Sequence, residues 1–171
     1  MIRKAIENDI DAIMEIIHDA RNYLKENNIP QWQGPYPTKE IFLEDIETGN
    51  CYVLEDDGVI GVMCIFLREN DQDNEDNYDY IEDGSWLNDD PYVVIHRSAI
   101  LSSKTHKGYM QQMFVYAEDY ALENGVKNLR IDTHRMNQAM LKSIDRFGFQ
   151  QCGIVYMYDK TERLAFQKVI S

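Results

Sequence analysis

Apolar residues first recur in a short run, Ile2 to Ala5, and then at Ile10, Ile13, Ile16, Ile17, Ala20 and Leu24. The run predicts a strand, and the later spacing predicts a helix with one buried stripe. Asn8 can cap that helix, with Asp11 three residues on completing a box-like start. The stripe fades at Asn27-Asn28, before Pro30. A segment of turn residues and aromatics, Gln31 to Pro37, leads to Thr38, which can cap a second helix carrying Ile41, Phe42 and Ile46. Gly49 can end it. Cys51–Glu55 and Val59–Leu67 read as strands joined at Asp57-Gly58, a strong hairpin turn signal.

The second half alternates differently. Tyr92–Leu101 is a long strand rich in Val and Ile, followed by a polar turn and a helix carrying Met110, Met113, Phe114, Ala117 and Ala121. Val126–Thr133 is the next strand. A helix from about Asn137 follows, its apolar face at Met140, Leu141, Ile144 and Phe147, ending at Gly148. Two strands close the chain, about Gln151–Tyr158 and Arg163–Val169. The strand–helix–strand unit requires a parallel pair with a right-handed crossover. The expected class is therefore α/β, with a mixed central sheet that is antiparallel at first and parallel in the middle.

A chain of 171 residues suits one domain spanning 1–171. No window approaches the roughly 20 apolar residues of a membrane span. The first residues lack the apolar core of a signal peptide, so a cytosolic protein is expected. Cys51, Cys64 and Cys152 are odd in number and widely spaced. Buried thiols are expected of them, with neither a disulfide framework nor a structural metal.

Charge adds more. The formal net charge of -13 disfavours nucleic acid, which needs a positive face. It favours a cationic small substrate only weakly. Residues 69–90 hold ten Asp or Glu and no Lys or Arg. That acidic insertion reads either as a solvated loop or as a lip that gathers polyamine-like acceptors.

Candidate chemistry centres on the turn Ser102 to Gly108. A strand that flows through a polar turn into a helix presents unpaired N–H groups, and the helix dipole adds partial positive charge. Lys104, His106 and Lys107 add cations, and Gly108 lets a ligand approach the backbone closely. A phosphate fits such a turn; so does an ordinary capped helix.

The pattern around it resembles the GNAT (Gcn5-related N-acetyltransferase) superfamily. That family grips the pyrophosphate of coenzyme A with a loop Q/R-x-x-G-x-G/A between strand and helix. Thr105-His106-Lys107-Gly108-Tyr109-Met110 stands in that place, after the strand end Ser98-Ala99-Ile100-Leu101. An Asn near a later helix start and a Gly-Phe at its end match Asn137 and Gly148-Phe149. Gln31-Trp32, His96-Arg97 and Asp132-Thr133-His134 resemble segments of a bacterial subgroup. Thr105 and Met110 depart from the loop pattern. Ile144 stands where many members carry a Tyr that protonates the leaving thiolate.

The resemblance implies splayed parallel strands flanked by helices, acetyl-CoA as co-substrate and a pantetheine arm along the backbone of Ser98, Ala99 and Ile100. It implies direct attack by a primary amine of a small molecule or peptide, and strand pairing across subunits as a homodimer. Attack by an amine needs a base, for which His96 and His134 are the candidates because imidazole titrates near neutral pH. Tyr156 is the remaining candidate acid. A structural pair between Arg97 and Asp132 is the competing expectation. Trp32 and Trp86, with Asp132, are expected at the acceptor cleft, or as plugs anchoring irregular segments. The alternative to an enzyme is a coenzyme A-binding sensor or interaction module with weak or no catalysis.

Overall fold

Asp9 sets how the first helix begins. Its carboxylate accepts the N–H of Ile6 at 2.8 Å and both Arg3 guanidinium nitrogens at 2.8 and 2.9 Å. This fixes a tight 3-10 turn over Glu7–Asp9, and the α-helix starts only at Ile10. The expected cap at Asn8 with Asp11 is thus corrected: Asn8 lies inside the turn, and Asp9 stands at the N-cap position with its side chain turned back to Ile6 and Arg3 rather than forward onto the helix.

The structure is a computed structural model and describes residues 1–69 and 77–171. Most of the first half of the acidic insertion, residues 70–76, lies outside the described residues. The elements are β1 (Ile2–Lys4), α1 (Ile10–Glu26), α2 (Lys39–Glu47), β2 (Cys51–Glu55), β3 (Val59–Arg68), β4 (Tyr92–Ile100), α3 (Tyr109–Glu123), β5 (Asn128–Thr133), α4 (Gln138–Phe147), β6 (Gln150–Tyr156) and β7 (Glu162–Val169). The strands run in the order β1-β2-β3-β4-β5-β7-β6. The β1-β2-β3 ladders are antiparallel, β4-β5 is parallel, and β5-β7-β6 is antiparallel. This is the mixed α/β sheet that the pattern requires. Among the described residues no helix is long and apolar enough to cross a membrane.

Contacts cluster the chain into two units. The first comprises Met1–Ile65 and His96–Tyr116. In it the α1 stripe behaves as its spacing demands, with Ile13, Ile16 and Ile17 fully buried, as is Phe42 of α2. Each such side chain contributes roughly 1.5–3 kcal/mol on leaving water. Thr38 caps α2, its Oγ1 accepting the N–H of Ile41 at 3.2 Å. Cys51 and Cys64 are free, buried thiols facing each other across the β2-β3 ladder.

The second unit comprises Phe66–Ile95 and Ala117–Ser171. Asn137 caps α4 through Met140 N–H, and Gly148 ends it in a left-handed conformation. The described part of the acidic insertion is anchored here. Glu82 and Ile154 exchange two backbone hydrogen bonds, at 2.9 and 2.8 Å. Gly84 and Gly153 make that approach possible. A Cβ on Gly84 would lie 1.9 Å from the Cys152 carbonyl oxygen, and one on Gly153 would lie 2.4 Å from that of Glu82. Gln167 adds a buried tie, accepting the N–H of Leu87 and donating to Asn128 at 3.0 Å. From Tyr78 onward the insertion is therefore docked, and its two sequence readings apply only to its exposed acids.

Candidate active site

Within the first unit, β4 ends at Ile100 and passes through a 3-10 turn, Ser102–Lys104, into α3. Asp19 of α1 fixes the turn, accepting the Ser102 N–H at 2.7 Å and its hydroxyl at 2.8 Å. The Thr105 hydroxyl donates to the Ser102 carbonyl at 3.0 Å. His106 and Gly108 both take positive φ, 66° and 77°. Left-handed residues on either side of Lys107 curl the backbone into the kind of concavity that presents successive N–H groups to an anion. The Gly108 carbonyl accepts from Gln112 N–H at 3.2 Å, so Gly108 is the residue that caps α3. The first N–H groups of α3 have no intrahelical partner and carry the positive end of the dipole.

A Cβ on Gly108 would meet no atom within 4 Å. Protein packing therefore does not demand glycine there; the left-handed backbone favours it. Thr105, His106, Lys107 and Gly108 are all exposed, and Tyr109 and Met110 are half-buried. Four of the six loop residues expected from sequence thus form an exposed, cationic, donor-rich turn that leads into α3. These features fit a phosphate-bearing group.

Just upstream, β4 carries a backbone irregularity. Arg97 has φ 51°, a left-handed value in mid-strand. Strict alternation along a strand would put His96 on one face with Ser98 and Ile100, and a left-handed residue between them disturbs it. Such a kink releases backbone groups from the regular ladder, and it costs of order 1–3 kcal/mol at a non-glycine. A buried network holds it. Arg97 Nε and Nη2 donate to Asp45 Oδ2 at 3.0 and 2.6 Å, and Nη1 donates to the Tyr36 hydroxyl at 2.9 Å. The Cys64 thiol donates to the same carboxylate oxygen at 3.3 Å. The expected Arg97–Asp132 pair is corrected: the partner is Asp45. Sequence reasoning passed over Asp45, although an acid between Phe42 and Ile46 on a helix stripe is a signal of a buried charge partner. His96 is half-buried, and so is Trp32, with φ 61°.

In the second unit Asp132 accepts the Tyr78 hydroxyl at 2.6 Å. His134 follows the end of β5, and its Nδ1 accepts the Met136 N–H at 3.1 Å. Its remaining nitrogen then carries the hydrogen in the neutral ring. Burial pushes its pKa down, with Arg163 acting in the same sense. A histidine so arranged is a donor, which makes it a poor base. Tyr156 donates to Glu82 at 2.6 Å, and Tyr80 donates to the same carboxylate at 2.7 Å. The bond to Glu82 pushes Tyr156 up to about 12 and Glu82 below the usual carboxylate range. Trp86 donates Nε1 to the Tyr78 carbonyl at 2.8 Å, and its ring lies 4.1 Å from the Arg130 guanidinium. A pocket of about 400 Å³ opens beside Trp86, Arg130 and Tyr78, with Asp79, Asp89 and Asp90 at its wall.

The sequence profile of the acetyltransferase (GNAT) family matches residues 17–149. A GNAT-family acetyltransferase from Streptococcus agalactiae 2603 superposes with a TM-score of 0.84 at 31% identity, over 100% of this chain and 95% of that one. One from Listeria monocytogenes 4b F2365 gives 0.72 at 24% identity, over 99% and 94%. A protein from Salmonella typhimurium, solved with its cofactor acetyl-CoA, shares the fold with a TM-score of 0.68 at 16% identity, over 100% and 94%. No curated protein matches the chain significantly. The family match defines an acyl-coenzyme A-dependent transferase. The chain belongs to the GNAT acetyltransferase family, whose co-substrate is acetyl-CoA.

Proposed function

We propose that this enzyme is an N-acetyltransferase that acetylates a primary amine of a small molecule or peptide by direct attack. The carrying observation is the turn from Thr105 to Tyr109, with left-handed His106 and Gly108 at the cationic start of α3. Bound acetyl-CoA supplies an activated thioester carbonyl; the remaining work falls to the chain. Thr105, His106, Lys107, Gly108, Tyr109 and Met110 hold the pyrophosphate. The backbone of Ser98, Ala99 and Ile100, after the Arg97 kink, takes the pantetheine arm, and Asn137 assists it.

The amine must shed a proton to attack. His96 is assigned as the base, directly or through a water, and His134 as a donor on the acceptor side. Tyr156 keeps its proton at neutral pH and is assigned to the departing sulfur once it releases Glu82. Trp32, Trp86 and Asp132 are assigned to the acceptor cleft. The formal charge of -13, and the exposed Asp79, Asp89 and Asp90 near Trp86, support a cationic acceptor. The expected setting is the cytoplasm.

Melting with and without coenzyme tests this reading first. A ligand at about 100 times its Kd adds roughly 2.7 kcal/mol. Acetyl-CoA and coenzyme A should both raise Tm, and Gly108→Val should abolish the rise. Thiol release should then follow addition of di- and polyamines more than of acidic amino acids. Release with no amine, or with acidic ones alone, overturns the acceptor assignment.

A further inference from the structure

The β2-β3 hairpin turn, at Asp56 to Gly58, carries an acid to the coenzyme turn. Asp57 and Gly58 take left-handed φ of 57° and 105°, and Asp56 N–H closes on the Gly58 carbonyl at 2.9 Å. This aims the Asp56 carboxylate at α3, where it accepts the hydroxyl of Tyr109, the first residue of that helix. Tyr109 also belongs to the turn assigned to the pyrophosphate. The carboxylate is exposed, so its charge is not hidden by burial. Three cations act on it from neighbouring elements: Lys104 and Lys107 of the turn and the Met1 ammonium. The Tyr109 bond, the larger influence, and these cations hold it below the usual carboxylate range, so it is negative throughout the neutral region.

We propose that Asp56 sets co-substrate affinity, acting as an internal anion tethered by Tyr109 at the rim of the phosphate-binding turn. It partly neutralises Lys104 and Lys107 before any ligand arrives, and it repels the phosphates when one does. The coenzyme must therefore displace or tolerate a like charge, and binding is held weaker than the bare turn allows. A turn so balanced favours turnover, because spent coenzyme A carries the same phosphates as the loaded form and must leave. The tether is specific in its geometry: the phenol fixes where the negative charge sits, and a short hairpin leaves it little freedom.

This inference rests on the assignment of the coenzyme to the Thr105–Met110 turn. Kd values for coenzyme A and for dephospho-coenzyme A, measured by calorimetry at low and high salt, test both. Asp56→Asn should bind coenzyme A about three- to tenfold more tightly at low salt, as expected of one screened like charge within a few ångströms of the ligand. The gain should shrink at 1 M salt, where screening acts over about 3 Å. It should also be smaller for dephospho-coenzyme A, which carries less charge. Tyr109→Phe keeps the charge but loses the tether, so its gain should fall between wild type and Asp56→Asn. Unchanged or weaker binding by Asp56→Asn, with an unaltered Tm, overturns the role of Asp56. A gain that ignores salt overturns its electrostatic basis. A wild-type protein that binds no coenzyme A, or a Gly108→Val protein that binds it normally, refutes instead the assignment of the turn.

Discussion

Two arginines on neighbouring strands are buried by opposite means. Arg97 on β4 is neutralised: a carboxylate from α2 takes two of its nitrogens and a phenol takes the third. Arg130 on β5 is sandwiched, its guanidinium 4.1 Å from the ring centres of both Trp86 and Tyr92. Among the described residues no carboxylate pairs with it; Nη2 donates to the Asn88 carbonyl at 2.8 Å, and Nε is buried without a partner. Burial pushes the Arg130 pKa down, whereas the charges around Arg97 outweigh burial and push its pKa up. The first arrangement makes two groups mutually dependent. Among the described residues, the second leaves no paired carboxylate behind when the cation is removed.

The largest effect should therefore come from Arg97→Met, which strands a buried Asp45 with only the Cys64 thiol. Urea unfolding should show a loss of about 3–5 kcal/mol, the range for breaking a buried pair. The kink in β4 should relax with it, so activity should fall in whatever protein remains folded. Next comes Arg130→Met. Methionine refills much of the volume and leaves no opposite charge unpaired, so the loss should be about 1–2 kcal/mol, near the value of desolvated cation–π contacts. Equal losses for the two variants would erase the distinction.

The smallest effect sharpens it from outside the core. Arg3 and Asp9 form a pair in which Arg3 remains partly exposed, and the Arg3 bonds hold Asp9 below the usual carboxylate range. Its stabilisation is present above the unfolded aspartate value, near 3.9, and is lost as pH falls through the lower folded value. Stability of wild type minus Asp9→Asn, followed from pH 7 to pH 2, should stay constant to about pH 5 and then shrink. A difference that does not change with acid would show that the charge on Asp9 contributes nothing to stability.

What was legible in the sequence was local. The Asn137 cap, the Gly148 end and the Asp57-Gly58 turn are written in residues whose conformational preferences act within a few positions, and each stands where expected. The exposed Gly108 turn was legible for the same reason. The Arg97 network was not. Its partner lies 52 positions away, and the left-handed backbone occurs at an arginine, a residue that gives no warning of it. Nor could periodicity show that His134 spends its Nδ1 on its own loop, accepting the Met136 N–H. At the first helix, Asn8 falls inside a 3-10 turn that the bonds from Asp9 to Ile6 and Arg3 hold, a tie that local preference does not show.

The facing glycines at 84 and 153 have an engineering consequence. Because neither can accept a side chain without pushing apart two backbones, they act as a rivet between the acidic insertion and β6. A larger residue at either position would therefore part Glu82 from Ile154 and undock the described part of the insertion from β6.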